Sequence, residues 1–469
     1  MTKLIQRFSL GGVALTISLT ALGSSFDGAK DPYPSTYAVQ NSTPVLLQDG
    51  TVLVGNGTRL EHADVLLQNG KVAAVGAHLT APAGATVINV AGKTITPGII
   101  DIHSHLGVYP SPSTEGNDDG NEATAPSTAQ VWAEHSVWPQ DPGFEMALEG
   151  GVTTLEILPG SANLIGGRSA VLKNVAATTV QAMKFPGARQ GLKMACGENP
   201  KRVYGKGRNT APSTRMGNMA GYRAQWVEAK SYLAEWKKYR EDVAAGGDRA
   251  AKAHEPKRDL RLDTLASVLN GEIDVQMHCY RADEMAQAID LSQEFGYTIA
   301  AFHHAVEAYK IADRLAEKHI CAAMWADWWG FKMEANDGIQ ENIALVDLAP
   351  NSCAIVHSDS EEGIQRLNQE AAKAMAHGNA MGLKITPEHA IQWITQNPAK
   401  ALKIDDKVGT IEVGKMADVV VWSTDPFSTY SITERIYIDG VLQFDRAHPA
   451  ATPRSDFMLG QSAANGVSP

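Results

Sequence analysis

Apolar and polar positions along this chain follow two rhythms. Between about residues 44 and 97 they alternate with a period of two, in "VLLQDGTVLVGNG", "ADVLLQNGKVAAVG" and "ATVINVAGKTITPG". Alternation predicts half-buried strands, and the interspersed Asp-Gly and Asn-Gly pairs are hairpin signals. The same rhythm returns near the end, in "VGTIEVGKMADVVVWSTDP" and "ITERIYIDGVLQFD". Residues 24–97 and 405–469 are therefore expected to build one small sheet domain from both ends of the chain. Between them, over 98–404, short apolar runs alternate with amphipathic ones. This implies βα units and a parallel sheet.

Eight strand-like runs can be read in that middle region: "GIIDIHSH", "VTTLEIL", "SAVLKNV", "GLKMAC", "IDVQMHC", "YTIAAFHH", "CAAMWA" and "CAIVHSD". Eight is the number that closes an α/β barrel. "ADEMAQAIDLSQEF" keeps helical spacing through Met285, Ile289 and Phe295. Two insertions interrupt the alternation. Residues 107–143 are rich in Pro, Ser, Gly, Asp and Glu and predict a loop after the first strand. Residues 200–270 hold charged helices before the fifth. Long excursions at a barrel mouth are expected to shape the active site.

Composition changes this picture little. A chain of 469 residues, 44% hydrophobic and 20% charged, has material for a large core. Its net charge of −11 argues against nucleic acid or an anionic membrane as partner and leaves a small-molecule substrate. The first residues matter more. Lys3 and Arg7 precede an apolar run from Phe8 to Leu22, followed by the small residues Gly23 and Ser24. That order predicts a cleavable signal peptide over 1–23 and export to a periplasm or the medium. The run is too short and too often broken by Ser and Thr for a stable membrane anchor. Cys196, Cys279, Cys321 and Cys353 sit in or beside separate strand-like runs and read as free, small core residues.

Candidate chemistry begins at "TPGIIDIHSHLG". In a strand, Asp101, His103 and His105 share one face and Ile100 and Ile102 the other. An isolated pair of histidines so spaced is more often packing than metal binding. The other strand ends change that balance: Lys193 on the fourth, His278 on the fifth, His303 or His304 on the sixth and Asp359 on the eighth. Barrel enzymes place chemistry at those ends, and imidazoles with a carboxylate suit zinc and similar divalent ions. His303 and His304 face opposite ways, so alternation cannot choose between them. His357 shares a face with Asp359 and is expected beside the ligands. Arg168, Lys173, Arg202 and Tyr204 could grip a substrate carboxylate, but ion pairing or surface exposure is the default for such residues. Arg281 is expected to be structural, and Asn397 before Pro398 to cap and end a helix. "MWADWWGFKME" offers three tryptophans for packing and for a wall over the substrate.

The segments "TPGIIDIHSH", "GGVTTLEILPG", "VQMHCYRADEM", "FHHAVEAYKIADRLAEKHI", "IVHSDS" and "NPAKALKIDDKVGTIEVGKMADVVVWSTDP" resemble the metal-dependent amidohydrolase superfamily, nearest its imidazolonepropionase-like and prolidase-like members. The resemblance implies a (β/α)8 TIM barrel beside a small β-sandwich, with one or two divalent metal ions, zinc being expected. It implies His103, His105, Lys193, His278, His304 and Asp359 as metal residues, Lys193 bridging as a carbamate, with Glu198 as the alternative bridge. It favours His304 over His303, because "HAVEAYK" follows the superfamily's pattern at that strand. The implied reaction is hydrolysis of an amide, cyclic amide or peptide-like C–N bond by metal-activated hydroxide. Asp359 would shuttle the proton, and His278 and His304 would steady the developing charge. Two alternatives stay open: a deaminase of the same superfamily, or a catalytically silent metal-binding exported protein. A homo-oligomer also stays open.

Overall fold

The computed structural model describes residues 31–111, 113–328 and 330–448. The expected signal peptide and Trp329 lie outside them. Among the described residues no helix is long and apolar enough to cross a membrane.

Five strands come first: β1 (Val45–Leu53), β2 (Arg59–Gln68), β3 (Lys71–Gly76), β4 (Thr86–Asn89) and β5 (Thr94–Pro97). Nine follow: β6 (Ile99–Ser104), β7 (Val152–Ile157), β8 (Ile165–Arg168), β9 (Ala170–Lys173), β10 (Gly191–Ala195), β11 (Asp274–Cys279), β12 (Ile299–His304), β13 (Cys321–Met324) and β14 (Ala354–Val356). The last three are β15 (Val419–Trp422), β16 (Thr433–Ile438) and β17 (Val441–Asp445).

Both ends of the chain meet in one eight-stranded sheet, ordered β17-β16-β15-β5-β1-β2-β3 with β4 beside β1. β5 is the seam, parallel to β1 and antiparallel to β15. The alternating residues Val52, Val65, Leu67, Ile95, Val419 and Val421 fill its core. Asn69–Gly70 and Asp439–Gly440 make the expected hairpins, each with two successive positive φ angles. Asp49–Gly50 does not turn the chain. It is a bulge within β1, where the register to β2 shifts but pairing continues at Gly50↔Ala63.

The middle strands form two sheets, β14-β13-β12-β11-β10-β8 and β6-β7-β9. From β10 to β14 they are parallel. The third expected strand, "SAVLKNV", departs from this: it forms β9, antiparallel to β7, while the preceding β8, outside that run, is antiparallel to β10. The reason lies in "PGSANL" between β7 and β8: a parallel return needs a crossover of a dozen or more residues, and this Pro/Gly/Ser stretch is too short. Past β14 the chain reaches β6, where Asp359 N–H donates to His103 O (3.1 Å) and the Ser358 hydroxyl donates to Asp101.

Helices cover the strands where periodicity placed them. Ala282–Phe295 buries Met285, Ile289 and Phe295, and Gly296 closes it in the left-handed conformation. The 200–270 insertion is dominated by helix Arg215–Ala245, capped by the Thr214 side chain. Its Trp226 stacks on Tyr297 at 4.5 Å between ring centres. Asn397 neither caps nor ends a helix. It lies in the first turn of Gln396–Ala401 and donates to Ala354 O (2.9 Å), tethering β14. Pro398 is tolerated there because first-turn N–H groups have no intrahelical acceptor.

Two covalent links correct the expectation of free thiols. Cys196 pairs with Cys279 and Cys321 with Cys353, leaving no free cysteine. Strand register explains both. Ala195 lies opposite His278, so the next residues, Cys196 and Cys279, meet; Ala322 lies opposite Ala354, so Cys321 and Cys353 meet one step earlier.

A buried ion cluster joins the strands of the middle to the terminal sheet. Lys173 Nζ on β9 lies 3.2 Å from Asp418 and 2.7 Å from Asp439. This residue is structural and is not a substrate grip. Lys173→Met, which strands two buried carboxylates, is expected to cost about 3–5 kcal/mol, read as a lower urea midpoint. Thiol titration of unreduced, denatured protein should find none, and after reduction all four cysteines; four reactive thiols without reductant would contradict the pairing.

Candidate metal centre

Side chains from β6, β10, β11 and β12 and from the segment after β14 meet at one end of the parallel strands. His103 Nε2 and His105 Nε2 are 3.3 Å apart, and each lies close to Asp359 Oδ1, at 3.3 and 3.2 Å. His105 Nδ1 donates to Leu158 O (2.8 Å), which leaves its Nε2 with a bare lone pair. Lys193 Nζ is fully buried, 3.4 Å from His103 Nε2, and donates to Pro159 O (2.9 Å).

Alternation left His303 and His304 open, and the structure gives each a different place. By register His303 is the partner of His278 and shares its face. Both its ring nitrogens are engaged, one by His103 and one by Gln276. His304 ends β12 with φ at +71°, a left-handed conformation that swings its ring out of the strand's alternation. Its Nδ1 then lies 3.7 Å from Asp359 Oδ2 and 3.0 Å from His357 Nε2. Asp359 is also left-handed, at +51°. Two such residues at one site are backbone strain held in place by the surrounding packing.

His278 sits with its ring 4.5 Å from that of His304. Both its nitrogens are buried without a hydrogen-bond partner among the described residues. Such orphaned polar atoms are costly unless something binds them. Bare lone pairs on His103, His105 and Asp359, together with the unpartnered His278, are the donor set of a divalent cation. Two triads, His103–His105–Asp359 and His103–His304–His357, bring their ligand atoms within 4.8 Å of one another. Glu198, the alternative bridge, lies 3.9 Å from Lys332, and Lys193 is the residue against the cluster.

Electrostatics follow from burial. Burial lowers His103, His278, His303 and His304 well below the ordinary imidazole range, and His357 to about 4. Burial also opposes charge on Asp359, but His304, His105 and His357 around it outweigh this and keep it ionised. Burial depresses the Lys193 amine to about 8 against the pull of Asp359 and Glu156.

The amidohydrolase family's sequence profile matches residues 94–453, most of the chain. This chain belongs to the amidohydrolase family. Its relatives include the amidohydrolase tasK of Hapsidospora irregularis, 32% identical over 81% of this chain. The chain spans only 40% of tasK's length. An imidazolonepropionase of Fusobacterium nucleatum is 26% identical, covering 81% of this chain and 91% of that protein. The crystal structure of an amidohydrolase from Thermotoga maritima superposes with a TM-score of 0.78 at 37% identity. It covers 86% of this chain and 100% of that one.

Aromatic side chains wall the site. Trp325 stacks on His304 (4.4 Å), Trp328 on Trp325 (5.1 Å), and Tyr280 on His304 (5.3 Å). From the 107–143 insertion, Tyr109 packs edge-on against His105 at 5.3 Å. Other sequence candidates lie outside the cluster. Arg168 is buried, donates to Thr264 and Gln190, and covers the Trp132 ring at 4.4 Å. Tyr204 donates to Ala125 O, and Arg281 pairs with Asp283; no contact places Arg202 in the cluster. Asp101 shares the strand face of His103, as its spacing in the sequence implies, whereas Gln276 and Tyr280 are additions of the structure. The signal for Gln276 was available: it lies two residues before His278 on the same strand face.

Five buried histidines with depressed pKa values make the metal-free protein acid-sensitive. The unfolded chain takes up their protons near pH 6.5 and the native state does not, so their contribution to stability is present above that pH and is lost as it falls. The melting temperature of chelator-treated protein should therefore drop between pH 7.5 and 5; a flat profile would contradict the buried neutral cluster.

Proposed function

We propose that this chain hydrolyses the C–N bond of a small amide, cyclic amide or peptide-like substrate, using one or two divalent ions. His103, His105, His278, His304 and Asp359 would hold them, with Lys193 as a carbamate bridge. The observation that carries this reading is the convergence of His103 Nε2, His105 Nε2 and Asp359 Oδ1 within 3.3 Å of one another. Zinc fits the nitrogen-rich set.

A cation bound there would bring the pKa of a water toward about 7 and polarise the scissile carbonyl. The chain's own groups do the rest. Asp359, ionised and facing His103, His105 and His304, takes the proton from the attacking water and returns it to the leaving nitrogen. His278 and His304 would steady the charge that develops on the carbonyl oxygen. Lys193, with its pKa near 8, is partly neutral at neutral pH and can add carbon dioxide as a carbamate, releasing a proton. An anion then replaces a cation next to His103. Trp325, Trp328 and Tyr280 offer apolar surface to the substrate's body and exclude water.

Lys193 at the cluster favours the hydrolase over the deaminase reading, since deaminase relatives often lack a bridging group on that strand. The same reading takes β6 to β14 as a barrel closed where Asp359 and Ser358 reach β6, with the terminal sheet folded as a small sandwich. Export is supported by the basic-then-apolar leader and by two disulfides, which persist in oxidising compartments.

Purified protein loaded with zinc and screened against dipeptides, N-acyl amino acids and lactams should release amine or amino acid from at least one class. Asp359→Asn should lower kcat on that substrate by about 10²–10⁴-fold with the fold intact. An unchanged kcat would remove Asp359 from the mechanism, and ammonia release from amino-substituted rings alone would favour the deaminase.

A further inference from the structure

The tautomer of His103 is decided outside the cluster. Gln276 Oε1 lies 2.8 Å from His303 Nε2. A carboxamide oxygen only accepts, so the proton sits on His303 Nε2 and leaves Nδ1 bare. That Nδ1 lies 2.9 Å from His103 Nδ1, and the single proton between them must belong to His103. His103 Nε2 therefore carries a lone pair, and it is this atom that faces His105, Asp359 and Lys193.

Reversing the chain reverses the outcome. If His303 donated to His103 Nδ1, His103 Nε2 would carry hydrogen and could not be a ligand. Gln276, His303 and His103 are each at most 2% exposed, so bulk water is not at hand to reset the order. Strand geometry builds the relay: Gln276 precedes His278 by two on β11, and His303 is the register partner of His278 on β12.

We propose that Gln276 and His303 are positioning residues, a hydrogen-bonded relay that holds His103 in the tautomer whose Nε2 is free for a divalent cation. This rests on the metal reading above and assigns a use to His303, which the proposed ligand set leaves out. Partners that fix a ligand's tautomer commonly change metal affinity by about 10–100-fold.

The test measures Co²⁺ and Zn²⁺ affinity by competition with a chromophoric chelator, alongside the melting temperature of the metal-free protein. Gln276→Met keeps the volume and removes the acceptor; it should weaken binding by about 10–100-fold and alter the visible Co²⁺ spectrum. His303→Asn puts a carboxamide oxygen where Nδ1 stood, so affinity should stay within about twofold of wild type. Adding Gln276→Met to His303→Asn should then cost no more than about twofold, because that oxygen accepts from His103 whatever Gln276 does. Equal losses in both backgrounds, or undiminished affinity in Gln276→Met, would overturn the relay while leaving the metal site standing. Wild-type protein that takes up no metal would overturn the metal reading and this one with it. Should Gln276→Met not fold, His303→Leu against His303→Asn decides: the first must lose affinity and the second keep it.

Discussion

Crowding of lone pairs is the constraint on which the site depends. Three bare acceptor atoms, on buried His103 and half-buried His105 and Asp359, stand within 3.3 Å of one another, and His278 adds two nitrogens without a hydrogen-bond partner among the described residues. Left to themselves such groups repel or remain unsatisfied, and the fold must pay for both. A divalent cation turns the same arrangement into a favourable one. The left-handed backbone at His304 and Asp359 belongs to this account, since each bends away from regular geometry to present its side chain.

The rest of the molecule keeps that crowd in place. Parallel pairing from β10 to β14 sets Lys193, His278 and His304 at one end of adjacent strands. Disulfides at Cys196–Cys279 and Cys321–Cys353 tie strand pairs on either side of β12, one of them directly beside His278. On the opposite side, Ser358 and Asp359 hydrogen-bond to β6, so the carboxylate is located by the same strand that carries the two histidines. Lys173, buried between Asp418 and Asp439, couples this framework to the sheet made from the chain's two ends. Its cation does for a pair of carboxylates what a metal would do for the histidines.

Most of this architecture could be read along the chain. Alternation marked the terminal strands and the middle ones, helical spacing marked Ala282–Phe295, and Asn-Gly and Asp-Gly marked two hairpins, because these are local consequences of side-chain direction and backbone freedom. The strand ends named His103, His105, Lys193, His278 and Asp359, for the period-two rule tells which residues share a face. It could not tell which residues of different strands lie opposite each other. Register is a tertiary quantity, and it decided that the cysteines pair. Connection length, legible but weighed too little, made the third strand antiparallel.

The histidine on β12 shows the boundary most clearly. Alternation left His303 and His304 open and the resemblance favoured His304; register aligns His303 with His278. The fold gives both a place, turning His304 toward Asp359 with a positive φ and engaging both nitrogens of His303 with His103 and Gln276. By itself the sequence determined which chemical groups were available and on which strands. Only tertiary structure decided which lone pairs face one another, because a proton's location on an imidazole depends on neighbours hundreds of residues away.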